Sequence, residues 1–225
     1  FSDATRTEQA IFAVYNLMGS NNSYRNRIAC GFAGLNTDAE WSTQSLSSTA
    51  SARALVLYIC GVTNDRISNT NGSDIWSYLN TMIERSNNII EGLEAYGNYE
   101  HNDTMAYFLG EALFLRSFAY LEMVKYWGDV PARFESIAKN PDGVKTPKSD
   151  RNLIYEQIRI DLKRAAELMP WSPDVVAPAA KNNVGRANRA AALGLLARAD
   201  LMYAGKAVRP GADGRNVKAE TEYAV

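Results

Sequence analysis

Few residues of this 225-residue chain belong to the types that make and break bonds. The only histidine is His101, beside Asn102 and Asp103, where a helical pattern begins. Sites built on two or more histidines are therefore excluded, and His101 reads as an exposed loop residue rather than a general base. Cys30 and Cys60 lie thirty residues apart in apolar settings without a Cys-x-x-Cys pair, and they read as buried free thiols. A disulfide between them in an oxidising compartment stays open. Asn69-Thr70-Asn71-Gly72 has the look of the middle of a calcium loop, but the first and twelfth ligand positions would be Ile67 and Tyr78, which carry no carboxylate. No Gly-x-Gly-x-x-Gly follows a strand pattern and no phosphate-binding Gly-x-x-x-x-Gly-Lys-Ser/Thr is present, so no nucleotide, cofactor or metal is expected. Asp38 and Glu40 form a close acidic pair, as a glycosidase would need. Among 25 acidic residues such pairs also arise by chance.

The aromatic residues are more informative. Most of the 12 tyrosines fall at helical spacing, as core or helix-interface residues do. Trp41 differs, because it lies in a polar stretch with Asp38, Glu40, Ser42 and Gln44. That combination suits a sugar: the indole face packs on the C–H face of a pyranose, while acids and amides pair with its hydroxyls. The alternative is that Trp41 plugs its loop back onto the helices.

The bulk properties exclude other functions. With 24 Lys+Arg against 25 Asp+Glu the formal net charge is -1, which lacks the basic footprint of a nucleic-acid binder. At 46% hydrophobic and 22% charged residues the chain has the composition of a folded globular protein. The longest apolar run, Ala190 to Ala197 between Arg189 and Arg198, is far too short to span a bilayer. The sequence opens at Phe1 without Met, a basic n-region or an apolar h-region, so a secretion signal is expected to have been removed already.

The elements that must position these residues are helices, and no segment reads as a strand pair. Ala10, Ile11, Val14, Tyr15 and Met18 place a helix over about 5–18, which ends in the turn residues Gly19 to Asn22. A polar stretch from Ser20 to about Thr49 follows, then a short apolar segment from Ala52 to Val62 that reads as a helix, then a second loop from Thr63 to Gly72. Ser73 is a good N-cap for a helix running to about Tyr96 through Ile75, Leu79, Met82, Ile83, Ile90 and Leu93. Asn102 or Asp103 caps the next helix, which reaches Trp127 and is broken by Gly128-Asp129-Val130-Pro131. Helices over about 151–168 and 186–203 complete the pattern, with Pro170, Pro173 and Pro178 stiffening the connection. Each has an apolar face that it cannot bury alone. The fold class is all-α, with tetratricopeptide-like antiparallel helix pairs forming a superhelical lobe with long irregular loops, although no strict period of about 34 residues is present.

Several of these stretches together resemble one family. Gly110-Glu111-Ala112-Leu113-Phe114-Leu115-Arg116-Ser117-Phe118-Ala119-Tyr120, continuing to Trp127-Gly128-Asp129-Val130-Pro131, is similar to the hallmark of SusD/RagB-type outer-membrane lipoproteins, the nutrient-binding proteins of Bacteroidetes. Further similarity follows in Trp76/Tyr78/Asn87/Ile90, in Arg151, Tyr155, Ile158, Asp161 and Leu162 up to Pro170, in Gly185-Arg186 with Ala191 and Ala192, and in Leu201 and Tyr203.

The resemblance implies a non-catalytic protein lipid-anchored at the extracellular face of the cell outer membrane. It would capture a glycan or oligosaccharide and hand it to a partner TonB-dependent (SusC-like) transporter. The alternative is a helical scaffold that docks the transporter without binding glycan itself. Family members are longer, so residues 1–225 are expected to be a single N-terminal helical domain whose C-terminal lobe and anchoring cysteine lie elsewhere. Glu111 and Arg116 are expected to orient neighbouring helices through an ion pair or a helix-end carbonyl, and Gly128 and Pro131 to shape the exit turn. Ligand contacts are expected in the loop after the first helix, at Asn36, Asp38, Glu40 and Trp41, with Arg66 in the next loop as an addition. Their placement follows position and chemistry, without a residue-by-residue motif match.

Overall fold

The computed structural model describes residues 1–20, 75–172, 176 and 185–205, together with the backbone of 207–210 and 216–219. Among these, the α-helices are α1 (Ala4–Met18), α2 (Ile75–Tyr96), α3 (Asp103–Trp127), α4 (Arg151–Leu168) and α5 (Arg189–Ala204). The helix expected over Ala52 to Val62, the cap Ser73, and Cys30 and Cys60 lie outside the described residues.

Local chemistry sets the helix starts. Asp3 caps α1 by accepting from the Arg6 amide at 2.7 Å. Asn102, rather than Asp103, caps α3, with its Oδ1 accepting from the amides of Thr104 and Met105. Asp150 and Asn188 cap α4 and α5 in the same way. Each side chain satisfies an amide that the first helical turn leaves without a carbonyl partner. Helix α5 starts three residues later than the periodicity predicts, at Arg189 instead of Arg186. Asn188 is the cap, its Oδ1 accepting from the Ala191 amide, while before it the Arg186 side chain and the Ala187 amide bond to Glu111 on α3 and Tyr15 on α1. His101 is exposed in a single 3₁₀ turn, Tyr99–His101, as expected.

Successive helices run antiparallel, as their cross-contacts show. Trp76 at the start of α2 meets Trp127 at the end of α3 edge-on at 5.1 Å. On α4 and α5, Tyr155 stacks on Tyr203 at 5.4 Å, and Arg159 pairs with Asp200 at 2.6 Å. α1 packs on α2 and α3. The result is the side-by-side array of helix pairs expected from the sequence.

α3 is the centre of the array. Its residues from Met105 to Val124 are buried almost without interruption, on every side of the helix, because α1, α2, α4 and α5 all touch it. Ile11 and Val14 from α1, Leu79, Met82 and Leu93 from α2, and Ile154, Ile158 and Leu162 from α4 complete one continuous core. Gly110 brings α3 and α4 close together. A Cβ there would lie 2.5 Å from Cγ of the buried Met169 and 3.3 Å from the Ala165 carbonyl.

The expectation of no strand pair is corrected by two short antiparallel pairs. β1 (Val130–Pro131) pairs with β2 (Lys148–Ser149), and β3 (Ala207–Pro210) pairs with β4 (Asn216–Ala219). The first pair is only two residues long per strand, too short for an alternating pattern to form. The second follows the last helix and is four residues long per strand. Gly128, at a φ of 70°, makes the sharp exit from α3, and a side chain there would collide with the Arg151 guanidinium.

Two glycines should behave oppositely on substitution. Gly110→Val should destabilise the chain by about 1–3 kcal/mol, because the added carbons meet a filled interface. Gly194→Ala in α5 should stabilise it by about 0.5–1 kcal/mol, since no atom lies within 4 Å of its Cβ position and alanine favours a helix interior. Urea denaturation of each variant measures both.

Candidate functional site

Asn36, Asp38, Glu40, Trp41 and Arg66 lie outside the described residues. What the structure displays is the frame that carries the ends of that segment: α1, which enters it, and α2, which leaves it. Two buried polar clusters, five positions apart along α3, tie this frame together.

The first cluster centres on Arg116. Its Nε and Nη2 donate to Asp161 Oδ2 and Oδ1 on α4, both at 2.8 Å. Its Nη1 donates to Asn87 Oδ1 on α2 at 3.0 Å and to the Phe134 carbonyl at 3.1 Å. Asn87 in turn donates from Nδ2 to the carbonyls of Arg133 and Glu135. The planar fork of arginine suits this role, since it matches a carboxylate with two parallel bonds and leaves a third nitrogen for other acceptors. The segment after α3 is pinned again by Tyr120, whose hydroxyl donates to the Arg133 carbonyl and accepts from the Arg133 amide, each at 2.7 Å. Burial pushes the Tyr120 hydroxyl up to about 12, so it stays protonated and able to donate.

The second cluster centres on Glu111, which is fully buried. Arg186, just before α5, donates to both of its oxygens and also to Glu8 on α1. The Tyr15 hydroxyl donates to Glu111 Oε1 at 2.8 Å and accepts from the Ala187 amide at 2.9 Å. The Arg186 guanidinium lies between 5.0 and 5.5 Å from the ring centres of Phe12, Tyr107 and Phe108. Burial raises the Glu111 carboxyl above its usual range, and Arg186 and Tyr15 offset this only in part. For Arg186, burial pulls the other way, but Glu111 outweighs it and holds the guanidinium charged. The direction for Glu111 follows from its complete removal from water.

Both residues orient neighbouring helices through an ion pair, Arg116 with Asp161 and Glu111 with Arg186. The carbonyl that Arg116 also reaches, Phe134, lies in the irregular segment after α3 and not at a helix end. The partners Asp161, Asn87 and Arg186 stand 45, 29 and 75 residues away, so no local spacing announced them. Neither carboxylate opens onto a cleft. Their arrangement holds helices and leaves no oxygen free for acid–base work. Among the described residues, no group of three His, Cys, Asp or Glu side chains is placed to hold a metal ion, and no helix is long and apolar enough to cross a membrane.

The model of a SusD-like family, described as starch-binding and associating with the outer membrane, matches residues 6–201. The chain belongs to the SusD-like family. Solved structures share its fold. A SusD homolog from Bacteroides thetaiotaomicron superposes with a TM-score of 0.75 at 23% identity, covering 91% of this chain and 37% of its own. A SusD superfamily protein from Bacteroides vulgatus gives 0.68 at 23% identity, with 87% and 39% covered. Surface glycan-binding protein A from Bacteroides uniformis gives 0.68 at 19% identity, with 89% and 42% covered. The chain therefore spans about two fifths of the length of these SusD-like relatives. A search of curated proteins finds no match.

Two outcomes follow from the clusters. Arg116→Met should cost about 3–5 kcal/mol, because it leaves Asp161 charged and buried, whereas Arg116→Met combined with Asp161→Leu should recover much of the loss. Guanidinium chloride denaturation reads both. Because the folded Glu111 carboxyl titrates above its unfolded range, its contribution is fully present below the ordinary carboxylate pKa and is lost as pH rises through the raised value. The stability of the wild type relative to Glu111→Gln should therefore fall as pH rises across that window.

Proposed function

We propose that residues 1–225 form the N-terminal helical domain of a longer, non-catalytic glycan-binding protein at the extracellular face of the outer membrane, held there by a lipid anchor. It delivers polysaccharide-derived ligands to a TonB-dependent, SusC-like transporter. The observation that carries this reading is the SusD-like match over residues 6–201, with its description of starch binding and outer-membrane association. The glycan-binding name of the Bacteroides uniformis relative points the same way. A formal net charge of -1 suits an uncharged sugar, which needs flat apolar faces and neutral hydrogen-bonding groups more than a charged groove.

The buried carboxylates support a binding role over a catalytic one. Glu111 and Asp161 each spend both oxygens on an arginine, which is what a rigid scaffold requires and an acid–base pair does not. In this reading Trp41 stacks on a sugar ring, Asn36, Asp38 and Glu40 pair with its hydroxyls, and Arg66 adds a donor. The clusters on α3 join α1 and α2, the two helices that flank the 21–74 segment, at a set distance.

Isothermal titration of the full-length protein with maltoheptaose, a soluble starch oligosaccharide, tests the assignment. Trp41→Ala should weaken binding at least about tenfold, the loss of one stacked ring. Unchanged affinity removes Trp41 from the site. Co-purification of the transporter without glycan binding by the wild type would favour the scaffold reading instead.

A further inference from the structure

Where the chain enters α1 beside the last turns of α2, the described residues enclose a cleft of about 660 Å³, a size suited to a small ligand. Three pieces of chain build it. Gly92 of α2 lets the Phe1 ring lie directly on the helix, because a Cβ at Gly92 would come within 1.9 Å of the ring. Glu91 fixes a second wall, the segment after α3, by accepting from the Ser136 amide at 2.8 Å and from the Ser136 hydroxyl at 2.6 Å. Tyr96, the last residue of α2, adds a ring that is 71% exposed, and Phe1 itself is 40% exposed. The cleft borders residues 88–96 of α2, about 20–30 Å along the helix from Ile75, where the 21–74 segment joins it.

The lining decides which ligand fits. Its charges are already matched: Glu94 accepts from Arg164, Lys139 pairs with Glu135 at 2.8 Å, and Glu91 holds both Ser136 donors. Glu135 above all, and then Glu91 and Glu94, raise the pKa of the Lys139 amine, so these groups lie within each other's field. Among them an ionic ligand meets no unpaired counter-charge. Partners for neutral hydroxyls do remain. Asn88 spends only its Nδ2 on Glu84, Glu94 only its Oε1 on Arg164, and Lys139 has three N–H groups for one carboxylate. Open ring faces beside such a rim are what a pyranose requires, with its C–H face on a ring and its hydroxyls on the rim.

We infer that this cleft binds a pyranose unit of a neutral oligosaccharide, with Tyr96 and Phe1 as its apolar faces and Asn88, Glu94 and Lys139 as its hydrogen-bonding rim. It is a second sugar contact in addition to the one proposed at Trp41. The ligand class rests on the glycan-binding reading above, and the place rests on the cleft. Two contacts on one polysaccharide chain raise its retention without tightening either site.

Hydroxyl-radical footprinting of the full-length protein, with and without maltoheptaose, cellohexaose or mannohexaose, reads both places at once. At least one of these sugars should slow oxidation of Phe1 and Tyr96 several-fold and leave Val144, 62% exposed elsewhere, unchanged. Trp41→Ala should keep that protection. Tyr96→Ala, a change at an exposed position, should abolish it at Phe1. Protection of Trp41 alone overturns the inference and leaves the proposed function standing, whereas protection at neither place by any of the three sugars overturns both. Slow oxidation of Phe1 and Tyr96 before sugar is added also overturns the inference, because chain preceding Phe1 would then fill the cleft. So does protection of Phe1 that survives Tyr96→Ala undiminished.

Discussion

The Arg116 guanidinium is the single group to which most of the described fold is tied. One side chain on α3 binds a carboxylate on α4, an amide oxygen on α2 and a carbonyl in the segment after α3. Such a charge in the interior is tolerable only because each of its three nitrogens finds an acceptor. The constraint is geometric as much as energetic. Apolar side chains accept many packings of similar energy, whereas a planar fork with fixed donors accepts few. Arg116 thereby sets how far α2 and α4 can slide along α3.

Glu111 performs the complementary task. It faces α1 and the entry to α5, where Arg186 and Tyr15 meet it, so α3 carries a buried cation towards one set of neighbours and a buried anion towards another. Both charges are balanced by a partner from a distant part of the chain. Most of the other buried residues of α3 are apolar or aromatic, with Ser117 and Glu122 as exceptions and Glu122 paired with Lys125 on the same helix. Glu111 and Arg116 are the two whose charges pair with residues far away in sequence. The hydroxyls of Tyr15 and Tyr120 extend each cluster to backbone groups, which orders Ala187 and Arg133 as well.

The SusD-like match runs over residues 6–201 and so includes the frame, whose helices are joined by charges buried in its interior.

Helices were legible in the sequence because their signal is local. Ile75, Leu79, Met82 and Ile83 repeat at helical spacing whatever lies beside them, Asn102 caps its own helix, and Gly128 to Pro131 stop one. The family hallmark was legible for the same reason, as a contiguous string on one helix. The two-residue strands β1 and β2 were not, because their pairing depends on where α3 and α4 bring two short segments. Nor was the pairing of Arg186 with Glu111 just ahead of the Asn188 cap of α5. The candidate residues from Asn36 to Trp41, with Arg66, stand on chemistry and position alone. By itself, then, the sequence determined which segments are helical and which residues are charged within them. Only the tertiary structure decided that Arg116 belongs to Asp161 and Glu111 to Arg186, because a charge finds its partner through the packing of surfaces, and sequence separation carries no record of that.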